Sequence, residues 1–377
     1  MFEITNLHYD LQSLLDIIGL IQGITLGILL LILNYKHYRS TFFLGLFLFL
    51  FSLKLAVFIP KGLNLDQVYP ELFLLPFNFS WLLFPLFFIY TQKVSIFSNQ
   101  KTKYWVVVPG IISVLLQVII YFLPYSTKLE IAQSFWNELF FTFMGICYSW
   151  AIGIWNLRLI YIHKKEVQNT FSLIEFKELE WARIFLIYAL TTSVIIHILY
   201  IISPQNFYFK LIFSIFDLIA IYWIAGNGVI QRNVLSDLNN KKSLNLPKVS
   251  SLVESNSQTY AIEDLKVLMK QIEDYVVGTE SFMSAELTII DLAEKLKEHP
   301  KRISTAINTV LNKNFNTYIN QHRIKKAERL LKNESVENFS IEGIGKEVGF
   351  NSKSAFYSSF KKMTGMTPTE YKESIAI

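Results

Sequence analysis

Seven stretches of this chain, at about 13–34, 41–60, 72–92, 104–123, 134–160, 182–202 and 209–230, are mostly apolar over roughly the length a helix needs to cross a bilayer. No other feature constrains the fold as strongly. Lipid offers no partner to a backbone N–H or C=O, so each run is expected to form a helix that closes its own hydrogen bonds. The third run holds Pro76 and Pro85, which a membrane helix tolerates as kinks. Overall, 52% of residues are hydrophobic and only 17% charged, against about 25% charged in ordinary soluble domains. The opening "MFEITNLHYD" lacks the positive stretch of a cleavable signal, so the first run is expected to stay in the mature protein.

The connectors between runs test this reading through their basic residues. Lys36 and Arg39 follow the first run, and Lys93, Lys101 and Lys103 the third. Arg158, Lys164, Lys165, Lys177 and Arg183 follow the fifth, and Arg232, Lys241 and Lys242 the seventh. The alternate connectors carry only Lys61, Lys128 and Lys210. Sorting of this kind predicts seven spans with the N-terminus outside and the C-terminus in the cytoplasm. A buried soluble core would not sort its loop charges by parity.

Ionisable side chains inside a span cost roughly 2.5–3.5 kcal/mol near its centre, so each is a functional candidate. Lys54, Glu138, His197 and Asp217 all fall within a few residues of the outer boundary, at a depth of roughly 6–12 Å. They read either as a polar cluster that senses an extracytoplasmic or lipid-phase ligand, or as snorkelling and routine helix pairing. Cys147 is the only cysteine, which excludes an internal disulfide framework and a thiol metal cluster. The scattered histidines have no metal-ligand spacing and no nucleophile or phosphate-loop motif is present, so no catalytic residue, metal or cofactor is expected.

After residue 230 the composition changes. Residues 231–259, "QRNVLSDLNNKKSLNLPKVSSLVESNSQT", read as a flexible linker with a root-mean-square span near 30 Å. Residues 260–278 read as an amphipathic connecting helix with Ile262, Leu265, Leu268, Met269, Ile272 and Tyr275 on one face. That stripe either packs on the terminal domain or pairs with a second copy in a homodimer.

Residues 279–377 carry a repeated pattern. "LTIIDLAEKL" reads as a short amphipathic helix with Ile290, Ala293 and Leu296 available for a core. Pro300 suits the first position of the next helix, "KRISTAINTVL", which buries Ile303, Ile307 and Val310. A long helix capped at Asn314 follows. The scheme then recurs: Ser340 caps "IEGIGKEV", Gly349–Phe350 turns, Asn351 or Ser352 caps "KSAFYSSFKKM", and Gly365 stops it. Two short helices around a tight turn, the second with a polar exposed face, form a helix-turn-helix pattern.

Through "LAEKL", "ISTAINTVLNKNFNTYINQHRIKKAERLL" and "VGFNSKSAFYSSFKKMTGMTPTEY", residues 284–373 resemble the AraC-type DNA-binding domain. The resemblance implies two helix-turn-helix units bridged by a long helix, with double-stranded DNA as partner. By position it makes Lys301, Ser304 and Thr305, and Lys353, Ser354, Tyr357 and Ser358, base-edge contacts. Arg302, Arg329, Lys361 and Lys362 suit phosphates. Two departures stand out: Ser358, where the family often has a basic residue, and Gly345, where it commonly has alanine. Glycine inside a helix costs about 1 kcal/mol relative to alanine, which points to a less rigid second unit.

The fold expected is therefore all-α: a seven-transmembrane-helix bundle at 1–230 and a cytoplasmic AraC-type domain. The function expected is a sequence-specific transcription regulator held in the lipid bilayer of the bacterial inner membrane. The alternative is a transporter carrying a DNA-binding regulatory domain. Against it, no inverted repeat is visible and the ionisable residues sit at one side of the membrane.

Overall fold

The third apolar run does not form one helix. In the computed structural model, which describes residues 10–34, 41–63, 65, 69–98, 100–175, 177–202, 207–231, 261–332 and 340–375, backbone 73–82 is irregular. A helix, α3 (Leu83–Val94), begins only afterwards. Pro76 lacks a donor, and the Asn78 carboxamide oxygen takes the Ser80 N–H at 3.0 Å and hydroxyl at 2.6 Å. Gln117 then substitutes for the missing helix partners: its Oε1 accepts from Asn78 N at 3.0 Å and its Nε2 donates to Asn78 O at 2.8 Å. Pro85 falls in the first turn of α3, where its absent N–H would have had no partner, so it introduces no kink.

The other runs form α1 (Leu11–Asn34), α2 (Thr41–Leu53), α4 (Val108–Tyr121), α5 (Gly145–Thr170), α6 (Glu180–Ile202) and α7 (Phe207–Ile230). Among the described residues five helical stretches are long and apolar enough to cross a membrane: Leu11–Leu33, Tyr104–Tyr121, Phe135–Thr170, Glu180–Leu199 and Tyr208–Ile230. The second run, Thr41–Val57, is shorter, so five of the seven expected spans appear as long apolar helices. The fifth contains a π-helical stretch, Glu138–Met144. Lys36, Arg39, Arg232, Lys241, Lys242 and nearly all of the linker 231–259 lie outside the described residues.

The described residues divide into two compact units. One holds the chain up to Tyr161 and from Leu179 to residue 231. Its centre is Phe87, fully buried, with ring centroids of Phe47 at 5.1 Å and Phe185 at 5.0 Å. α1 and α2 approach closely at Gly27 and Gly45, where a Cβ would lie 2.9 Å from the facing backbone. The outward faces stay apolar: Ile32, Ile119 and Ile154 are more than half exposed, and no more than 28% of any candidate span is buried.

The second unit holds Ile162–Glu178 together with the residues from 261 onward. Its helices are α8 (Ile262–Gly278), α9 (Ile289–Leu296), α10 (Pro300–Leu311), α11 (Phe315–Leu331), α12 (Ile341–Glu347), α13 (Lys353–Thr364) and α14 (Pro368–Ile375). The stripe on α8 packs within the chain. Leu265, Leu268, Met269, Ile272 and Val276 are buried with Ile303, Ile307 and Phe315, which leaves that face unavailable for pairing with a second copy. α11 divides its apolar side between two cores: Phe315, Tyr318 and Ile319 enter the first, Ile324, Ala327 and Leu331 the second.

Glu273 on α8 fastens α11 by accepting from Tyr318 Oη at 2.7 Å and facing His322 Nε2 at 3.4 Å. Burial outweighs the attraction of that carboxylate and holds the His322 imidazole below its ordinary value of 6.5. The folded unit thus keeps His322 neutral where the unfolded chain already binds a proton. Stability present above the ordinary value is lost as pH falls through it toward the depressed folded value. Amide protection of α8 and α11, followed by hydrogen exchange between about pH 7.5 and 5.5, is expected to fall more in the wild type than in His322→Gln. Identical pH profiles would remove His322 from this role.

Candidate nucleic-acid interface

The first helix-turn-helix starts from a capping box. Thr288 Oγ1 accepts from Asp291 N at 3.3 Å, and the Asp291 carboxylate accepts from Thr288 N at 2.7 Å. This fixes the start of α9 so that Ile289, Leu292 and Ala293 are buried, while Ile290 and Leu296 are only partly so. The expected Ile290, Ala293 and Leu296 thus all reach this core, with Ile289 and Leu292 buried more deeply than Ile290 and Leu296. Lys297, at φ 55°, closes the helix, and Pro300 opens α10 behind its N-cap His299. Ile303, Ala306 and Ile307 are buried, and Val310 packs on the edge of that core. Lys301, Ser304, Thr305 and Asn308 share the opposite face at spacings of three and four.

The second unit follows the same logic. Ser340 caps α12 and Ser352, not Asn351, caps α13, accepting from Ala355 N at 3.1 Å. Gly349 makes the turn at φ +100°, with the Met283 carbonyl 2.4 Å from where a Cβ would stand. Gly345 is not a weak point in its helix. A Cβ there would lie 2.8 and 2.9 Å from ring carbons of Phe356, so glycine is what lets α12 settle on α13. Gly365 ends α13.

Between the units lies a side chain the sequence reading missed. Arg323 is 1% exposed. It donates from Nε to Phe282 O at 2.7 Å, from Nη2 to Ser284 O at 2.8 Å and Ser172 Oγ at 3.1 Å, and from Nη1 to Asn320 Oδ1 at 3.2 Å. Burial lowers its pKa to about 10. The available signal was a lone arginine four residues from both Ile319 and Ala327, inside an otherwise apolar stripe.

The expected DNA contacts occupy two helical faces. Arg302 binds both oxygens of Glu298 through Nη1, at 2.8 and 2.9 Å. Thr305 Oγ1 donates to Lys301 O at 2.8 Å, and Ser304 Oγ accepts from Asn308 Nδ2 at 3.2 Å. On α13, Lys353 pairs with Glu342 at 2.5 Å, and Tyr357 Oη lies 3.2 Å from Thr369 Oγ1. Ser354, Ser358, Lys361, Lys362 and, on α11, Arg329 are exposed. Ser354, Tyr357, Ser358 and Lys361 repeat the spacing of Lys301, Ser304, Thr305 and Asn308.

In the apolar unit, Lys54 and Asp217 are brought together at 3.0 Å, with the ammonium 4.1 Å from the Phe51 ring centroid. Asp16, absent from the expected cluster, is buried within electrostatic range of both and accepts from Gln12 Nε2 at 3.4 Å. His197 is engaged with Ser193 O of its own helix at 2.5 Å, and Glu138 is exposed, so neither is seen to join the Lys54–Asp217 pair. The described residues hold no cluster of three or more His, Cys, Asp or Glu side chains that could bind a metal ion.

The geometry defines a paired helix-turn-helix domain, and comparison with known proteins agrees. Residues 292–374 match the helix-turn-helix domain family. The C-terminal domain is of the AraC type, resembling regulators of that family. The Msm operon regulatory protein of Streptococcus mutans is 29% identical over 127 residues, 34% of this chain and 41% of that protein. The melibiose operon regulatory protein of Escherichia coli is 36% identical over 87 residues, 23% of this chain and 28% of that protein. The transcriptional regulator AlkR of Acinetobacter baylyi is 22% identical over 103 residues, 27% and 33%. The chain thus spans less than half the length of each of these relatives. No solved structure matches it.

Helix propensity alone would make Gly345→Ala stabilising by about 1 kcal/mol. The crowding against Phe356 reverses the sign, because overpacking typically costs about 1–3 kcal/mol. Gly345→Ala is expected to lower protection of α12 and α13 from hydrogen exchange, by roughly 1 kcal/mol net. Increased protection would restore the propensity argument.

Proposed function

We propose that this chain is a membrane-resident, sequence-specific DNA-binding transcription regulator, with an apolar unit of seven passes that senses an extracytoplasmic or lipid-phase ligand. The observation that carries the DNA-reading half is the repeated pattern of α10 and α13. Each buries its apolar residues in its own core and presents polar ones at matching spacings outward. Lys301, Ser304 and Thr305, with Lys353, Ser354, Tyr357 and Ser358, read base edges; Arg302, Arg329, Lys361 and Lys362 hold phosphates. Two of the relatives are operon regulatory proteins, which accords with this reading.

Membrane residence is supported by the outward apolar faces, which would be costly in water over so large an area. The broken third run is compatible with a pass. Irregular backbone is tolerated at membrane depth where protein satisfies it, and here Phe79 and Leu82 are buried while Gln117 bonds the backbone of Asn78. The loop charges orient the N-terminus outside and the DNA-binding unit in the cytoplasm. A cavity of about 400 Å³, lined among others by Pro60, Phe73, Asn78, Gln117, Phe141 and Thr142, supports ligand sensing. It borders the irregular segment and the π-helical stretch, features that recur at functional sites.

Selecting a random duplex library with the full chain in lipid nanodiscs tests the DNA-reading half; failure to enrich any sequence would sink it. Thr305→Ala is expected to relax preference at one position by about 1–3 kcal/mol. Lys361→Ala should weaken all duplexes alike and reduce the salt slope by about one. For the sensing half, the cavity-filling Thr142→Phe is expected to block the response of a reporter built on the selected sequence. A normal response would take the cavity out of that role.

A further inference from the structure

The segment Ile162–Glu178 belongs to the DNA-binding unit, and its contacts there are specific. It is anchored at two residues. Phe171 forms an antiparallel bridge with Thr288, and Ser172 N donates to Leu287 O at 3.1 Å. Ser172 O accepts from Asn316 Nδ2 at 2.7 Å, and Ser172 Oγ receives Arg323 Nη2. Both anchor residues are buried, at 3% and 2% exposure.

On either side of the anchor the segment reaches a DNA-reading helix. Upstream, Asn169 Oδ1 accepts from Asn308 Nδ2 at 3.4 Å, and that same amide holds Ser304 Oγ. The Glu166 carboxylate lies in the field of Lys301, and Gln168 Oε1 accepts from Asn314 Nδ2 at 3.2 Å. Downstream, the Glu175 carboxylate accepts from the hydroxyls of Ser352 and Ser354, the latter at 3.4 Å, at the N-terminus of α13. A carboxylate there takes the kind of place a DNA phosphate favours, at the positive end of a helix.

The geometry points to an autoinhibitory strap: segment 162–178 engages Asn308 on the reading face of α10 and Ser352 and Ser354 at the N-terminus of α13, and must leave them before DNA can bind. Glu166 and Glu175 carry the same sign as phosphate, and the Ser354 hydroxyl cannot donate its one proton to Glu175 and to a base edge at once. Both ends of the strap continue directly into long apolar helices, α5 and α6, so any displacement of those helices pulls on it through the chain itself. A strap that leaves only a fraction of heads competent weakens apparent affinity by that fraction. This inference rests on the DNA-reading function proposed above and names its regulation.

The test uses the full chain in nanodiscs and a labelled duplex enriched from the random library. Apparent Kd is compared for wild type, Glu175→Ala and Glu175→Gln, the last keeping side-chain size while removing the charge. Both variants are expected to bind roughly tenfold tighter. A second arm places cysteines at Asn169 and Asn308 in a Cys147→Ser background and joins them with a short bis-maleimide. The joined protein is expected to lose DNA binding that the unjoined protein retains. Equal or weaker binding by both Glu175 variants, or full binding by the joined protein, overturns the strap while leaving the DNA-reading function standing. If neither wild type nor the Glu175 variants enrich any duplex, the DNA-reading function itself falls, and the strap with it.

Discussion

A single buried guanidinium holds the DNA-binding unit in register. Arg323 sits on α11 between the residues that serve the first core and those that serve the second. Removing a guanidinium from water costs several kcal/mol unless its donors are met. Here they meet two carbonyls of the 282–284 turn, the Asn320 side chain and Ser172. The guanidinium also lies 5.6 Å from the Phe350 ring centroid, beside the turn glycine of the second helix-turn-helix. Such an arrangement is a weak source of net stability and a strong source of specificity. Few other placements of the 282–284 turn and of the Ser172 hydroxyl satisfy the same donors.

The apolar unit meets the same constraint with neutral groups. Its irregular segment leaves backbone polar atoms that no helix satisfies, and Gln117 takes two of them at Asn78. Lys128, expected at an outer loop, is instead buried and donates to Phe73 O at 3.3 Å in the same segment. The irregular stretch is therefore held by side chains from elsewhere in the chain, which is what allows a cavity beside it without loss of the surrounding packing.

How much of this was legible follows from how local each cause is. Helix starts governed by adjacent residues could be read directly: Asn314 and Ser340 cap as expected, and the α8 stripe buries Leu265, Leu268, Met269 and Ile272, although Ile262 stays exposed and Val276 rather than Tyr275 completes it. On α9 the expected residues reach the core, but which lie deepest was not legible because apolar residues at 289, 290, 292, 293 and 296 fit more than one face. Only the Thr288–Asp291 box decides between them. That Lys54 and Asp217 interrupt apolar runs could be read, but not their pairing, which joins α7 to a residue far back in the chain. The break in the third run was out of reach. Two prolines in an apolar run are compatible with a kinked helix, and nothing local says that Gln117 will replace the missing bonds. Gly345 was misread for the same reason: propensity is local, whereas the Phe356 ring that requires a glycine arrives from the next helix.

The cations on the two reading faces bear on the weaker grip that Ser358 and Gly345 suggested for the second unit. Arg302 is held by Glu298, Lys353 by Glu342, and Lys301 lies in the field of Glu166. Exposed pairs of this sort are individually worth about 1 kcal/mol or less, so each can be exchanged for a phosphate at little cost. The exchange is not free collectively, since every pair opened leaves a carboxylate near the DNA. Sequence reading then depends less on the presence of lysines than on where their acidic partners go once DNA arrives. For Glu298 and Glu342, on or beside the reading helices, only a side-chain rotation is available. Glu166, in the last turns of α5, and Glu175, beyond the buried Ser172, belong instead to backbone outside the two helix-turn-helix units. The difference between the two helix-turn-helix units therefore lies less in the residue at position 358 than in which acid guards each helix. α13 meets a carboxylate of that separate segment at its N-terminus, whereas α10 meets chiefly amides.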